Sequence, residues 1–284
     1  MRKGTMGTIQ CENLNEYRVY LANEEKSEAT IEKYLRDVET FVKWLGDGEP
    51  VTKDRIMEYK KWLSGKYMIS SANSMLTALN LFFAYMGWNE CRIKTFKTQP
   101  NHFYDEDKEL SRYEYERLID TARKSGRERL ALIIETIGGT GIRISELEYI
   151  TVEAAKNGKI EVSGKGKHRE IYLVGKLRRK LSAYCRRNKI SRGAVFVTRN
   201  GKAVDRSNIW KELKELGRKA GVNAEKVFPH NLRHFFARTY YKVHKNIGWL
   251  ADILGHSSIN TTRIYTATTG ENHVKMLESL GLVL

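Results

Sequence analysis

The second half of this chain carries arginine, histidine and tyrosine residues at turns and helix starts, where side chains can converge on an anion. Gly141-Ile142-Arg143-Ile144-Ser145-Glu146-Leu147 follows an apolar helix and a glycine pair, so Arg143 emerges beside a turn with Glu146 one helical turn on. A guanidinium there can hold a phosphate, and the carboxylate can orient it. Pro229-His230-Asn231-Leu232-Arg233-His234 places His230 and Arg233 at i and i+3 on one helix face, able to donate jointly to one anionic group. Leu254-Gly255-His256-Ser257 reads as a helix stopped by glycine with His256 just beyond the stop. Tyr265 follows in Thr261-Thr262-Arg263-Ile264-Tyr265. A single tyrosine at helical spacing is usually a packing residue, and the chain has 15 of them, so Tyr265 means something only in company.

These residues need elements to hold them. Lys159-Ile160-Glu161-Val162-Ser163 and Arg169-Glu170-Ile171-Tyr172-Leu173 alternate, with Gly164 and Gly166 in the connection, which predicts a β-hairpin with a basic tip. Lys165 lies at that tip, where a long amine can reach a ligand, and Lys167, His168 and Arg169 compete for the same work. Around the hairpin, apolar periodicity predicts helices near 112–124, opened by a Ser111/Glu114 capping box, and near 127–138, 175–187, 206–220, 230–243, 246–254 and 259–266. Ala194-Val195-Phe196-Val197 reads as a further short strand. The first hundred residues read as a bundle of about four helices. One surrounds Leu14, Tyr17 and Leu21, and one from Ser27 to Gly46 turns Ile31, Tyr34, Leu35, Val38, Phe41, Val42 and Leu45 to a buried face. Another follows Thr52 with Ile56, Tyr59 and Leu63 inward, and the last, near 71–86, carries Met75, Leu79, Phe82 and Phe83. The fold class expected is mainly α with a small antiparallel β-sheet, as a helical domain at 10–94, a linker at 95–109 that loses periodicity around Pro100, and an α+β domain at 110–284.

Charge narrows the partner. The chain holds 50 Lys plus Arg against 34 Asp plus Glu, a formal +16. Residues 1–100 are nearly balanced, with 15 basic and 13 acidic residues, whereas 156–226 hold 21 basic and 6 acidic. A folded surface carrying that excess suits a polyanion, and nucleic acid is the expected partner. No apolar run approaches a membrane span, and the N-terminal residues lack a signal peptide's apolar core, so a cytoplasmic location without membrane contact is expected. Cys11, Cys91 and Cys185 are odd in number and widely spaced, which argues against disulfides and a zinc module and leaves buried free thiols. No acidic cluster has metal-ligand spacing, and neither metal nor other cofactor is expected.

In order, Gly-Ile-Arg-Ile-Ser-Glu-Leu, Gly-Lys-Gly, His-x-Leu-Arg-His, Leu-Gly-His-Ser and Thr-Thr-x-x-Tyr resemble the tyrosine recombinase, or phage integrase, family. The resemblance spans about 110–270, and region 10–90 is similar to that family's core-site-binding domain by pattern and place. It implies catalytic roles for the arginine pair Arg143 and Arg233, the hairpin lysine Lys165, His230, His256 and the nucleophile Tyr265, with Glu146 orienting. Arg143, Arg233 and the two histidines would clamp the nonbridging oxygens of a DNA phosphodiester, where a metal enzyme would use magnesium. Tyr265 would attack with His230 as base, and Lys165 would protonate the departing 5′ oxygen.

The same resemblance implies double-stranded recombination sites as substrate, a protein that is monomeric when free and tetrameric on DNA, and an accessory bending or excision factor. A prokaryotic, viral or mobile-element origin is implied as well. An apolar tail, Val274, Met276, Leu277, Leu280 and Leu282, would dock on a neighbouring subunit. The segment before residue 10 is expected to be too short for the additional arm-binding domain of some integrases. Lys167, Arg169, Arg178, Arg179, Arg199 and Arg206 are the candidates for holding DNA. Two other readings stand beside this one: DNA relaxation of the type IB topoisomerase kind, and a non-catalytic DNA-binding protein with the same fold.

Overall fold

The computed structural model describes residues 7–46, 48–98, 106–164, 167–198, 201–266 and 278–279. The chain divides into two compact units, residues 1–100 and 101–284.

The first unit packs four helices, α1 (Cys11–Asn23), α2 (Glu28–Leu45), α3 (Lys53–Lys66) and α4 (Ile69–Tyr85). Their stripes meet as the periodicity requires: Tyr17, Ile31, Leu35, Val38, Phe41, Ile56, Tyr59, Leu63, Leu79, Phe82 and Phe83 form one buried cluster. Thr52 caps α3 by accepting from Arg55 N. Beyond α4 the backbone runs along that helix, held by two side-chain amides. Asn80 exchanges hydrogen bonds with Ile93 at 2.7 and 2.9 Å, and Asn73 with Phe96 at 3.0 and 2.7 Å. Phe96, inside the stretch expected to act as a linker, is thus anchored on α4. The cysteines are free, but Cys11 is exposed at the start of α1, unlike buried Cys91 and Cys185, because its position precedes the first inward residue of that weakly amphipathic helix.

The second unit is built around α6 (Glu128–Thr140), which follows α5 (Arg112–Lys124). Leu130, Ala131, Leu132, Ile133, Ile134 and Ile137 are all buried, so α6 is apolar on nearly every side and sits inside the unit. The Ser111/Glu114 capping box opens α5, with both reciprocal bonds made, at 3.1 and 2.8 Å. After a 3₁₀ helix at Ile144–Tyr149 come α7 (Val152–Asn157), β1 (Lys159–Gly164), β2 (Lys167–Tyr172), α8 (Gly175–Arg187) and α9 (Arg206–Ala220). The chain continues through α10 (Pro229–His244), α11 (Ile247–Leu254), α12 (Ile259–Thr262) and a 3₁₀ turn at Arg263–Tyr265.

β1 and β2 pair antiparallel from Lys159↔Tyr172 to Gly164↔Lys167 and make the sheet of the described residues. The strand expected at 194–197 is not part of it. Ala194 and Val197 make isolated bridges to Thr151 and Ala203, and Val195 N donates to the carbonyl of Ile150 at 2.8 Å. Val195 and Phe196 are both buried, so the apolar run there reports burial of neighbouring residues, not the alternation of a pleated strand. The helix expected over 259–266 is a single α-turn continued as 3₁₀.

Candidate active site

Helix ends position the chemistry. α6 terminates at Gly141, whose φ of +67° lies in the left-handed region. A Cβ there would meet Phe236 Cδ1 at 2.4 Å, so glycine is demanded by conformation and by space alike. The turn delivers Arg143 to the start of the 3₁₀ helix, where Glu146 accepts from its backbone N–H and from its Nη1, each at 2.8 Å. The other partner of Glu146 comes from β2. Arg169 Nη2 donates to Glu146 Oε2 at 2.6 Å, so one buried carboxylate aligns two guanidinium groups.

Pro229 occupies the first turn of α10, where its missing N–H costs nothing, and the helix then presents His230 and Arg233. Arg233 is 2% exposed. Its Nη1 donates to the Gly141 carbonyl at 2.6 Å and its Nη2 to the Leu254 carbonyl at 2.7 Å, which are the C-terminal ends of α6 and α11. Both ends carry partial negative charge, which compensates a guanidinium removed from water. Burial, with Arg143 nearby, still pulls its pKa down to about 10.

α11 stops at Gly255, also left-handed, and His256 follows. Its Nε2 lies 3.1 Å from Arg233 Nη2 and its Nδ1 2.8 Å from Thr262 Oγ1. A guanidinium only donates, so Nε2 accepts and Nδ1–H donates to the threonine. Desolvation, then the charges of Arg233, Arg143 and Arg169, push the His256 pKa down to about 4. His256 was expected to donate to a phosphate; in this arrangement its Nε2 is an acceptor taken up by Arg233.

Tyr265 is 3% exposed and packs with Ala237, Leu250 and Leu254. Its ring stacks toward His256 with centroids 6.3 Å apart and meets His234 edge-on at 5.1 Å. Burial raises its pKa, and the nearby charge of Arg233 opposes that rise. The phenol therefore rests protonated and needs an acceptor. His230, exposed at the surface, has its pKa lowered first by the protein atoms around its ring and then by His234, Arg233 and Arg143, which favours the neutral form.

Arg143, Glu146, Arg169 and His256 line one cleft of about 1050 Å³, with Ser163, His168 and Tyr172 on the hairpin side. Arg233 and Tyr265 are not among the residues that line it; they join it through His256, which Arg233 contacts at 3.1 Å and on which the Tyr265 ring stacks. Lys165, the expected hairpin lysine, and Arg199 lie outside the described residues, as do Val274, Met276, Leu277, Leu280 and Leu282. Among the DNA-holding candidates, Arg169 is occupied by Glu146. Arg178 donates to the carbonyls of Ala155, at 3.1 Å, and Lys156, closing the end of α7. Arg179 and Arg206 are exposed, and the backbone of Lys167 opens β2. Among the described residues no His, Cys, Asp and Glu side chains group as metal ligands, and no helix is long and apolar enough to cross a membrane.

Sequence reading passed over Glu109 and Arg238, and included His234 and Thr262 in motifs without giving either a role. His234 and Arg238 continue the face begun by His230 at four-residue steps, a signal that was present. Glu109 ends a stretch without periodicity, which concealed it.

The arrangement of a helical unit, then a helical unit with one hairpin and a buried tyrosine among arginines and histidines, has relatives. Residues 108–272 match the phage integrase family, and residues 14–90 match the phage integrase N-terminal SAM-like domain. The chain belongs to the phage integrase family, as its ordered motifs led one to expect. Tyrosine recombinase XerA of Pyrococcus furiosus is 32% identical, covering 97% of this chain and 96% of its own. The pre-cleavage complex of XerH recombinase with its difH substrate has a TM-score of 0.72 at 20% identity, covering 97% of this chain and 85% of that one. A λ integrase tetramer bound to a Holliday junction has a TM-score of 0.71 at 16% identity, covering 92% and 78%. At such identities these two structures speak to the fold.

Proposed function

We propose that this chain cuts and rejoins double-stranded DNA at specific sites through a 3′-phosphotyrosyl intermediate on Tyr265. The observation that carries the reading is the convergence of Arg143, Arg233 and His256 with a buried tyrosine whose ring stacks on His256. Arg143 and Arg233 neutralise the nonbridging oxygens of the scissile phosphate, whose charge grows in the transition state. Tyr265 Oη forms a bond to phosphorus as the bond from phosphorus to the 5′ oxygen breaks. The phenolic proton passes to His230, and Lys165 supplies a proton to the departing oxygen. Attack by the 5′ hydroxyl of another strand reverses these steps and releases Tyr265. The phosphotyrosyl bond conserves the energy of the phosphodiester, so the scheme needs no ATP, and Arg143 and Arg233 take the charge-stabilising part that a metal would otherwise play.

Exchange between two duplexes needs four such subunits, and the λ integrase structure is a tetramer on a Holliday junction. In this reading residues 10–94 and 110–284 both hold DNA, and the apolar tail joins neighbouring subunits. The task is movement of an element into or out of a chromosome, or resolution of joined replicons.

The test is a selection for covalent protein–DNA adducts from nicked duplexes of randomised sequence. Wild type is expected to capture a defined sequence, and Tyr265→Phe to bind that duplex with no adduct. Undiminished adduct with Tyr265→Phe would remove Tyr265 as the nucleophile. Relaxation of a supercoiled circle carrying the captured site, without strand exchange between two copies, would instead favour a topoisomerase.

A further inference from the structure

Behind Tyr265 lies a group of ionisable side chains that the proposed chemistry leaves unused. Glu109, just ahead of α5, sets Oε1 3.6 Å from His234 Nδ1 and 3.2 Å from Arg238 Nε, and the three side chains are only 17%, 22% and 19% exposed. The first distance is long for a hydrogen bond and short for a charge contact. The His234 ring in turn meets Tyr265 edge-on at 5.1 Å and His230 at 4.5 Å, so it touches both the nucleophile and its proton acceptor. The backbone beside Glu109 is fixed to the same helix, because Asn231 Nδ2 donates to the carbonyls of Lys108 at 3.0 Å and Lys226 at 2.8 Å. Leu110, the next residue, is buried in the core of the unit.

An apolar cluster would fill this space at lower cost. Among the described residues, Glu109 Oε2 and His234 Nε2 are both buried with no hydrogen-bond partner, which a packing role does not explain. Burial alone would raise the Glu109 pKa, but the neighbouring His234 and Arg238 more than reverse that, so the carboxylate stays ionised.

Building on the proposed cleavage chemistry, we infer that Glu109 is a positioning residue: its carboxylate fixes the His234 ring, and that ring sets the attacking phenol against its proton acceptor. The titratable and charged groups facing His234 are Glu109 from the segment before α5, His230 and Arg238 from its own helix, and Tyr265 from the last 3₁₀ turn. Glu109 also acts on two of them through charge, raising the pKa of His230 and of Tyr265. Neutralising it lowers the pH at which His230 becomes a free base.

The experiment compares full-length wild type with Glu109→Gln in single-turnover adduct formation across a pH series, using the duplex recovered by the selection above. DNA affinity is expected to stay within about twofold while the adduct rate falls by about tenfold to a hundredfold, the scale of a small misplacement of reacting groups. The acid limb of the profile is expected to move to lower pH. An unchanged rate overturns the inference, and so does a uniform loss with the limb unmoved. Should Glu109→Gln not fold, ¹⁵N NMR of the wild-type histidines decides: His234 is expected to carry a proton on Nδ1, and a bare Nδ1 overturns the contact. Failure of wild type to form any adduct would sink the cleavage reading, and the NMR result would still judge Glu109.

Discussion

Arg233 commits its guanidinium to the protein before any DNA arrives. Both of its Nη groups are bound to helix-end carbonyls, and one also reaches His256, so its position is set by the fold. His256 has a measurable signature. Above pH 6.5 it is neutral in the folded and unfolded chain alike; between there and its folded pKa of about 4 only the unfolded chain takes up the proton. Stability therefore falls as pH drops through that window. His256→Gln is expected to flatten the dependence of melting temperature on pH there, and an unaltered slope would contradict the assignment. Lys165 has a separate test: Lys165→Ala is expected to slow cleavage about a hundredfold or more and to recover when sulfur replaces the leaving 5′ oxygen, since sulfur needs no proton. No recovery would remove the general-acid role. At this scale the sequence disclosed residue types in order but not partners. Arg143 and Glu146 could be paired because they sit one turn apart. Arg169 could not be joined to Glu146, because strand alternation says which face a side chain takes and not what waits there.

Among elements, the junction between α6 and the 3₁₀ helix bears most on the site. Gly141 ends one helix, accepts from Arg233 and lies against Phe236. Gly141→Ala is expected to destabilise the chain by roughly 1–3 kcal/mol through left-handed strain and that clash, read as a lower urea midpoint. A midpoint equal to wild type would show that the turn tolerates a side chain. α2 was legible because its apolar stripe repeats over several turns and ends at Gly46, and α6 as an unbroken apolar run, although it continues through the glycine pair at 138–139, where its end was expected, to Gly141. α7 was not, since Val152–Asn157 spans too few turns to display a period, and its ends depend on Thr151, Gly158 and the distant Arg178. The segment 194–197 misled for a related reason: its apolar residues are drawn into the core by tertiary packing.

For the whole molecule, charge is the governing quantity. The excess of 21 basic over 6 acidic residues in 156–226 is partly consumed internally, as Lys180 with Glu135 and Arg187 with Glu128 illustrate. Even so, DNA affinity is expected to fall linearly on a log–log plot against salt, with a slope near −0.9 per neutralised phosphate. For about six contacts that is roughly a thousandfold between 50 and 200 mM salt. A nearly flat plot in a filter-binding titration would refute a phosphate-tracking surface.

The way Arg233 stitches two helix termini together has a consequence for how this chain can change. A lineage cannot discard that arginine cheaply, because the scaffold itself would loosen. Tyr265 bears no such structural debt in its hydroxyl, which a phenylalanine lacks while filling the same hollow. If Tyr265 is the nucleophile proposed above, a variant that keeps its hold on DNA but no longer cuts it is most readily reached by losing that one oxygen atom.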